Sequence, residues 1–219
     1  MAITYPYALT AFADLLNIES VTWGIRRNDE LSGSGDGRIW QAELADPLWT
    51  GEVKLVNRPH HELKQIAALV RKLHGSQESF YLYDPLSKYP YADPDGSILG
   101  ASTVQVHTVG AQFRTLRLKG LPASYVLTLG DKGQIAFSSA PVQNYFFEVS
   151  ENITADGSGI TAAFEVFPHV PTGVVANDAV TLAKPACKVF IMPESHNPGA
   201  AMTGLFTEGA GFMAMERRR

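Results

Sequence analysis

Cysteine occurs once in this 219-residue chain, at Cys187. No intrachain disulfide can form, and no cluster of thiolates can hold a metal. The thiol stands in the run Pro185-Ala186-Cys187-Lys188-Val189-Phe190, an apolar setting that predicts a buried strand position and no reactive thiolate. Basic charge is scarce too. Lys and Arg number 18 against 22 Asp and Glu, a net charge of -4. A dedicated nucleic-acid binder needs a basic face to displace the counterions of phosphate, so specific nucleic-acid binding is not expected. The one dense basic run, Arg217–Arg219, reads as a solvated tail. Long apolar runs are missing, and no cationic segment followed by an apolar one opens the chain. Both absences predict synthesis in the cytoplasm without secretion or direct membrane insertion.

Catalytic signatures are equally sparse. No Gly-x-Ser-x-Gly elbow is present, and none of the 22 carboxylates is marked as half of a hydrolytic pair. His60 and His61 are adjacent, so on a helix they point about 100° apart and cannot share a tetrahedral metal site as an i, i+4 pair would. His74, His107, His169 and His196 are scattered. Asp93-Pro94-Asp95-Gly96 resembles the start of a calcium loop but lacks the later ligands and closing Glu. Ser32-Gly33-Ser34-Gly35-Asp36-Gly37 has the glycines of a phosphate cradle, yet Arg38-Ile39-Trp40 continues as a strand where a helix N-terminus is needed. It reads as a hairpin loop. The expectation is a protein that is not an enzyme, with no catalytic residue, cofactor or metal site.

Apolar residues make up 45% of the chain and charged residues 18%, so a sizeable core can be buried. Short alternating or apolar runs dominate, from Val21–Arg27 and Arg38–Leu44 through Gly51–Val56 and Ser79–Tyr83 to Cys187–Met192, most of them bounded by Gly, Pro, Asp or Asn. In Arg38–Leu44, Ile39, Gln41 and Glu43 fall on one face and Trp40, Ala42 and Leu44 on the other, which is expected to meet a core. Leu116 and Leu118 should point inward likewise. One helix is predicted from Pro59 to His74, because Leu63, Ile66, Ala67, Val70 and Leu73 form one stripe and Gly75 follows as a stop signal. The fold class is therefore mainly β: a strand–strand–helix–strand unit over 1–98, then an almost purely β region over 99–219. The turn-rich segment Ala92–Ser97 marks the boundary. Met192–Gly211 is expected to be a loop, and the last strand, Phe212–Glu216, is one that can return to the first domain.

The most distinctive composition lies at Phe80–Tyr91. Tyrosine combines apolar area with a hydrogen-bonding tip and is favoured at interfaces, which makes Tyr81, Tyr83, Tyr89 and Tyr91 candidate interface residues. A plain core edge and a platform for stacking sugars are the alternatives.

Two stretches carry a family resemblance. The order Trp40, Leu48-Trp49, Glu52-Val53-Lys54-Leu55, then Leu63, Ile66 and Leu69, then Phe80-Tyr81-Leu82-Tyr83-Asp84-Pro85 is similar to the ring-forming domain of distal tail proteins in long-tailed bacteriophages and gene-transfer-agent-like particles. The run Leu118–Leu127, the Gly130-Asp131 turn, Thr154-Ala155-Asp156-Gly157-Ser158-Gly159 and Val166-Phe167-Pro168 resemble a pattern of phage tail and tail-tip proteins. Gly130 and Gly157 are expected to allow the turns, with Asp131 and Asp156 bonding local backbone.

The resemblance implies a virion protein at the tail tip. It implies a β-sandwich ring domain with one packed helix, followed by a second β-sandwich or barrel-like domain, and a homo-oligomeric ring of six copies, whose heterologous contacts require two different complementary patches on each subunit. The helix and the Tyr-rich stretch are the candidates for one patch. Implied partners are the tail tube protein and the hub or other tail-tip proteins, including the receptor-binding apparatus. A glycan- or protein-binding module of the tail tip is one alternative, and a cell-wall hydrolase another.

Overall fold

The computed structural model describes residues 4–33, 35–138, 141–203 and 206–218. The protein is mainly β. In chain order the elements are β1 (Ile18–Gly33), β2 (Ile39–Leu55), β3 (Arg58–Pro59), α1 (His60–Arg71) and β4 (Phe80–Tyr83). Then come β5 (Gln105–Val109), β6 (Thr115–Lys119), β7 (Val126–Leu127), β8 (Lys132–Phe137), β9 (Gln143–Val149), β10 (Ile153–Thr154), β11 (Phe164–Phe167) and β12 (Ala179–Thr181). The chain closes with β13 (Ala186–Ile191), β14 (Ala200–Ala201), β15 (Phe206–Glu208) and β16 (Gly211–Glu216).

The largest sheet has the order β1-β2-β16-β13-β4. Its two C-terminal strands lie between β2 and β4, so residues from both sides of the Ala92–Ser97 turns share it. Period-two alternation puts Trp49, Val53 and Leu55 on one face, and the register sets Phe212 opposite Val53 and Val189 opposite Phe80. Onto that face α1 lays Leu63, Ile66 and Val70, and Leu73 follows in the next turn. All four are buried. Each contributes about 1.5–3 kcal/mol by leaving water. The helix starts after Pro59, carries Glu62 in its first turn and Arg71 in its last, and unwinds through turns to His74.

Six strands close a barrel in the order β11-β6-β5-β12-β8-β9. Leu116 and Leu118 point into it, as the alternation predicts, beside Val106, Ile135, Phe164 and Val166. Tyr145 and Phe147 stack there, with ring centroids 5.6 Å apart. Between them Phe146 faces the other way, into the core of the large sheet. Strand β9 is thus a wall shared by both cores, which explains its unbroken aromatic run, since a strand buried on both faces has no polar side.

Two expectations need correction. Arg38–Leu44 and Gly51–Val56 are not separate strands but parts of β2, which is 17 residues long. Pro47 suggests a break because it cannot donate to a ladder. It is tolerated because it sits at a bulge: Arg26 pairs with Leu48 and Asn28 with Ala45, leaving Asp46 and Pro47 outside the register. Nor is Met192–Gly211 simply a loop, for β14 and β15 lie within it and pair with each other, and β15 pairs also with β3.

Candidate interaction surfaces

Beyond the bulge, β1 and β2 leave the sheet as a projecting arm. Strand β16 pairs with β2 only from Lys54 to Thr50. From Asn28 to Gly33 and from Ile39 to Ala45 the two strands pair only with each other. The face of Trp40, Ala42 and Leu44, expected to meet a core, instead meets solvent: Trp40 is 67% exposed and Leu44 60%. Alternation identifies a face but not what covers it, and here no second layer does among the described residues. The opposite face is no drier, with Leu31 67% and Ile39 74% exposed. An isolated two-stranded hairpin is marginal in water, so the arm depends on its attachment to the sheet at its base.

Ion pairs and hydrogen bonds gather at the base of the arm. Arg27 bonds Asp29 at 2.7 Å and lies 3.9 Å from Glu43 on the facing strand. Hydrogen bonding from Arg27 holds the Asp29 carboxyl below its ordinary range. Arg218 reaches across from the C-terminal segment to Asp46 at 2.7 Å, the Pro47 carbonyl at 2.7 Å and Glu216 at 3.3 Å. These contacts clamp the bulge from which the arm springs. Glu216 also accepts the backbone N–H of Trp49 at 3.0 Å.

The two edges of the large sheet differ. Strand β1 is an edge along its whole length. At the other edge the N-terminal segment covers β4: Tyr7 donates to the Ser79 carbonyl and accepts from the Tyr81 N–H, each at 3.0 Å. The β4 edge is therefore covered by the chain itself, whereas the β1 edge is not.

The structure separates the four tyrosines. Tyr81 is half-buried, and its hydroxyl accepts from Asn144 Nδ2 at 2.7 Å. Tyr83 is buried with Ala13 and Ala186, and Lys184 Nζ lies 5.4 Å from its ring centroid. Tyr89 is half-buried, its ring against Gly96. Only Tyr91 presents most of its ring to solvent. Tyr89 and Tyr91, with Leu86, line an open groove of about 340 Å³ that reaches Asp131. A second groove of about 340 Å³ runs between α1 and the turn before β1, lined by Leu15, Asn17, Glu62, Gln65, Ile66 and Leu69.

The turn signatures have structural tasks. Asp131 accepts from Thr128 N–H at 2.7 Å, the Thr128 hydroxyl at 3.0 Å and Tyr91 N–H at 2.9 Å. Asp156 accepts from the N–H groups of Ser158 and Ile160. Gly130 has the positive φ expected of it, but in the second turn Gly159, not Gly157, takes that role. Asp93, at the calcium-like turn, is buried and accepts from Ile98 N–H, Leu99 N–H and the Tyr125 hydroxyl. Cys187 is buried, and desolvation pushes its thiol up. Among the described residues no three His, Cys, Asp or Glu side chains converge as a metal site would require, and no helix is long and apolar enough to cross a membrane.

The projection of the arm is not legible in the sequence. The Gly-rich tip between two alternating runs already signalled a hairpin; only the lack of a covering layer was invisible. Compared with known proteins, the chain matches no family model and no curated protein.

Proposed function

We propose that this chain is a structural, non-catalytic subunit of a bacteriophage tail tip, a distal tail ring protein joining the tail tube to the hub or receptor-binding apparatus. The observation that carries the reading is the arm, which exposes Leu31, Ile39, Trp40 and Leu44. Such a surface gains its burial from another molecule. A ring supplies that burial at every subunit, and the resemblance to ring-forming tail proteins supplies the context. Native mass measurement across a concentration series tests it. A closed oligomer, with six copies as the expected number, supports the ring. A chain that stays monomeric at high concentration and gives no density in tail tips overturns it.

A second reading is favoured by Tyr91. Its exposed ring beside Tyr89 and Leu86 offers an aromatic face to a sugar of the host surface. Glycan-array binding lost on Tyr91→Ala supports that module; a blank array with the folded wild-type chain removes it.

A further inference from the structure

The free edge of the large sheet is self-complementary. Outward from Asn28, β1 runs Arg27, Arg26, Ile25 in one direction and Asp29, Glu30, Leu31 in the other. We infer that two copies of this chain pair β1 with β1, antiparallel about a twofold axis at Asn28, and so join their large sheets into one. The contact goes beyond the ring reading, because it is isologous: the same patch serves both copies.

The edge is open to a second strand. Strand β1 is the outer strand of its sheet over 16 residues, and among the described residues no other segment pairs with its outer side. Such an edge carries a row of unpaired N–H and C=O groups, a template for another strand. The bulge at the base of the arm does not spoil it. From Arg26 to Asp29 the outer strand advances three residues while β2 advances five, from Leu48 to Glu43. The extra residues lie in the inner strand, so β1 offers a partner a run without insertions.

Charge selects the partner and the register. With Asn28 opposite Asn28 of the second copy, Arg26 of each copy faces Glu30 of the other, Arg27 faces Asp29, and Ile25 faces Leu31. Directly opposite residues of an antiparallel pair project from the same face, so each of these pairs is in contact. Arg26 and Glu30 are exposed, and neither has an ion-pair partner among the described residues. The second copy supplies one to each. Other registers lose this match. An axis at Arg27 sets that arginine against itself, and an axis at Asp29 does the same for the carboxylate. An axis between Asn28 and Asp29 leaves Arg26 opposite Leu31. Parallel pairing sets like on like throughout. Edge charges of one sign keep copies apart; a palindrome of opposite charges draws them together.

The pairing also gives the arm the neighbour it lacks. The overlap runs from Gly24 to Ser32, and at about one backbone hydrogen bond per residue it forms roughly nine. Each arm then lies along the body edge of the other copy, and two marginal two-stranded hairpins become a four-stranded sheet. Both faces of β2 stay open, so Ile39, Trp40 and Leu44 remain available to the ring contact.

Charge swaps at the two exposed positions test it, read by sedimentation and native mass on the full chain. Arg26→Glu sets two acids against each other, and Glu30→Arg sets two bases. Each variant alone is expected to weaken the twofold association at least about tenfold. Mixing the two variants, or combining both changes in one chain, restores opposite charges and is expected to restore association. A cysteine reads the register. Asn28→Cys should give disulfide dimers under mild oxidation, while native Cys187 is buried. Thr22→Cys, exposed on the same face but about 40 Å from its twin, should not. Association that ignores both swaps, or that falls without recovering in the mixture, overturns the inference. A closed ring with an unchanged copy number in Arg26→Glu and no Asn28→Cys dimers overturns the twofold contact and leaves the ring reading standing. A strict monomer removes both.

Discussion

The indole Nε1 of Trp49 donates a hydrogen bond to the carbonyl of Phe146 across 3.0 Å, in the buried interior. Trp49 belongs to β2, which carries the arm, and Phe146 to β9, the wall of the barrel. Their rings also meet edge to face, with centroids 5.4 Å apart. The bond ties the barrel to the strand from which the arm projects.

Trp49→Phe should therefore weaken both halves together. It leaves a buried carbonyl without its donor, at a cost of about 1–3 kcal/mol, and adds a cavity penalty. In urea the midpoint should drop with a single transition. Two separated transitions, one for each core, would contradict the coupling.

Gly159 has φ +72°, and a Cβ there would lie 2.0 Å from the Leu121 carbonyl oxygen. Gly159→Ala is expected to cost at least ~1 kcal/mol, because the backbone must shift to admit the methyl group. Gly157→Ala meets open space and should change the melting temperature little. Equal melting temperatures for the two variants would disprove the assignment of the turn to Gly159.

Asp93→Ala removes the acceptor of two backbone N–H groups and the Tyr125 hydroxyl. The expected loss is about 2 kcal/mol or more, since donors left buried and unpaired are costly. Asp93→Asn, which keeps one carbonyl oxygen, should lose less. Thermal unfolding of both variants checks the order.

Burial raises the Glu216 pKa above the ordinary carboxylate value, against the opposing pull of Arg218 and the Trp49 N–H. The folded protein thus holds this proton more tightly than the unfolded chain. Between the ordinary value and the raised one, stability from this group is present at the acid end and is lost as pH rises. Glu216→Gln removes that slope while keeping an acceptor for Trp49. Urea titrations from acid to neutral pH should show the stability of the variant gaining on that of wild type as pH rises. A constant difference would mean that Glu216 does not titrate in the folded state as described.

Much of the fold is legible along the chain. The α1 stripe at Leu63, Ile66, Val70 and Leu73, the inward pair Leu116 and Leu118 and the buried Cys187 all follow from local periodicity and composition. Aspartates at the turns are legible too, because their side chains bond backbone two to four residues away. Harder to read was β2, where Pro47 marks a break that a bulge opposite Arg26–Asn28 absorbs. Of the interface tyrosines, Tyr83 and Tyr91 look alike in sequence, yet one is packed against Ala186, more than a hundred residues away, and the other is left in water.

Side-chain alternation along the chain determined which residues share a face: Trp40 with Leu44, Leu116 with Leu118, Phe146 apart from Tyr145 and Phe147. Tertiary structure alone decided what each face meets. Periodicity is set by the backbone of a single strand, whereas burial depends on whether a distant segment arrives to cover it. For β9 two layers arrive, and all three aromatics are buried; for the arm, among the described residues, none does.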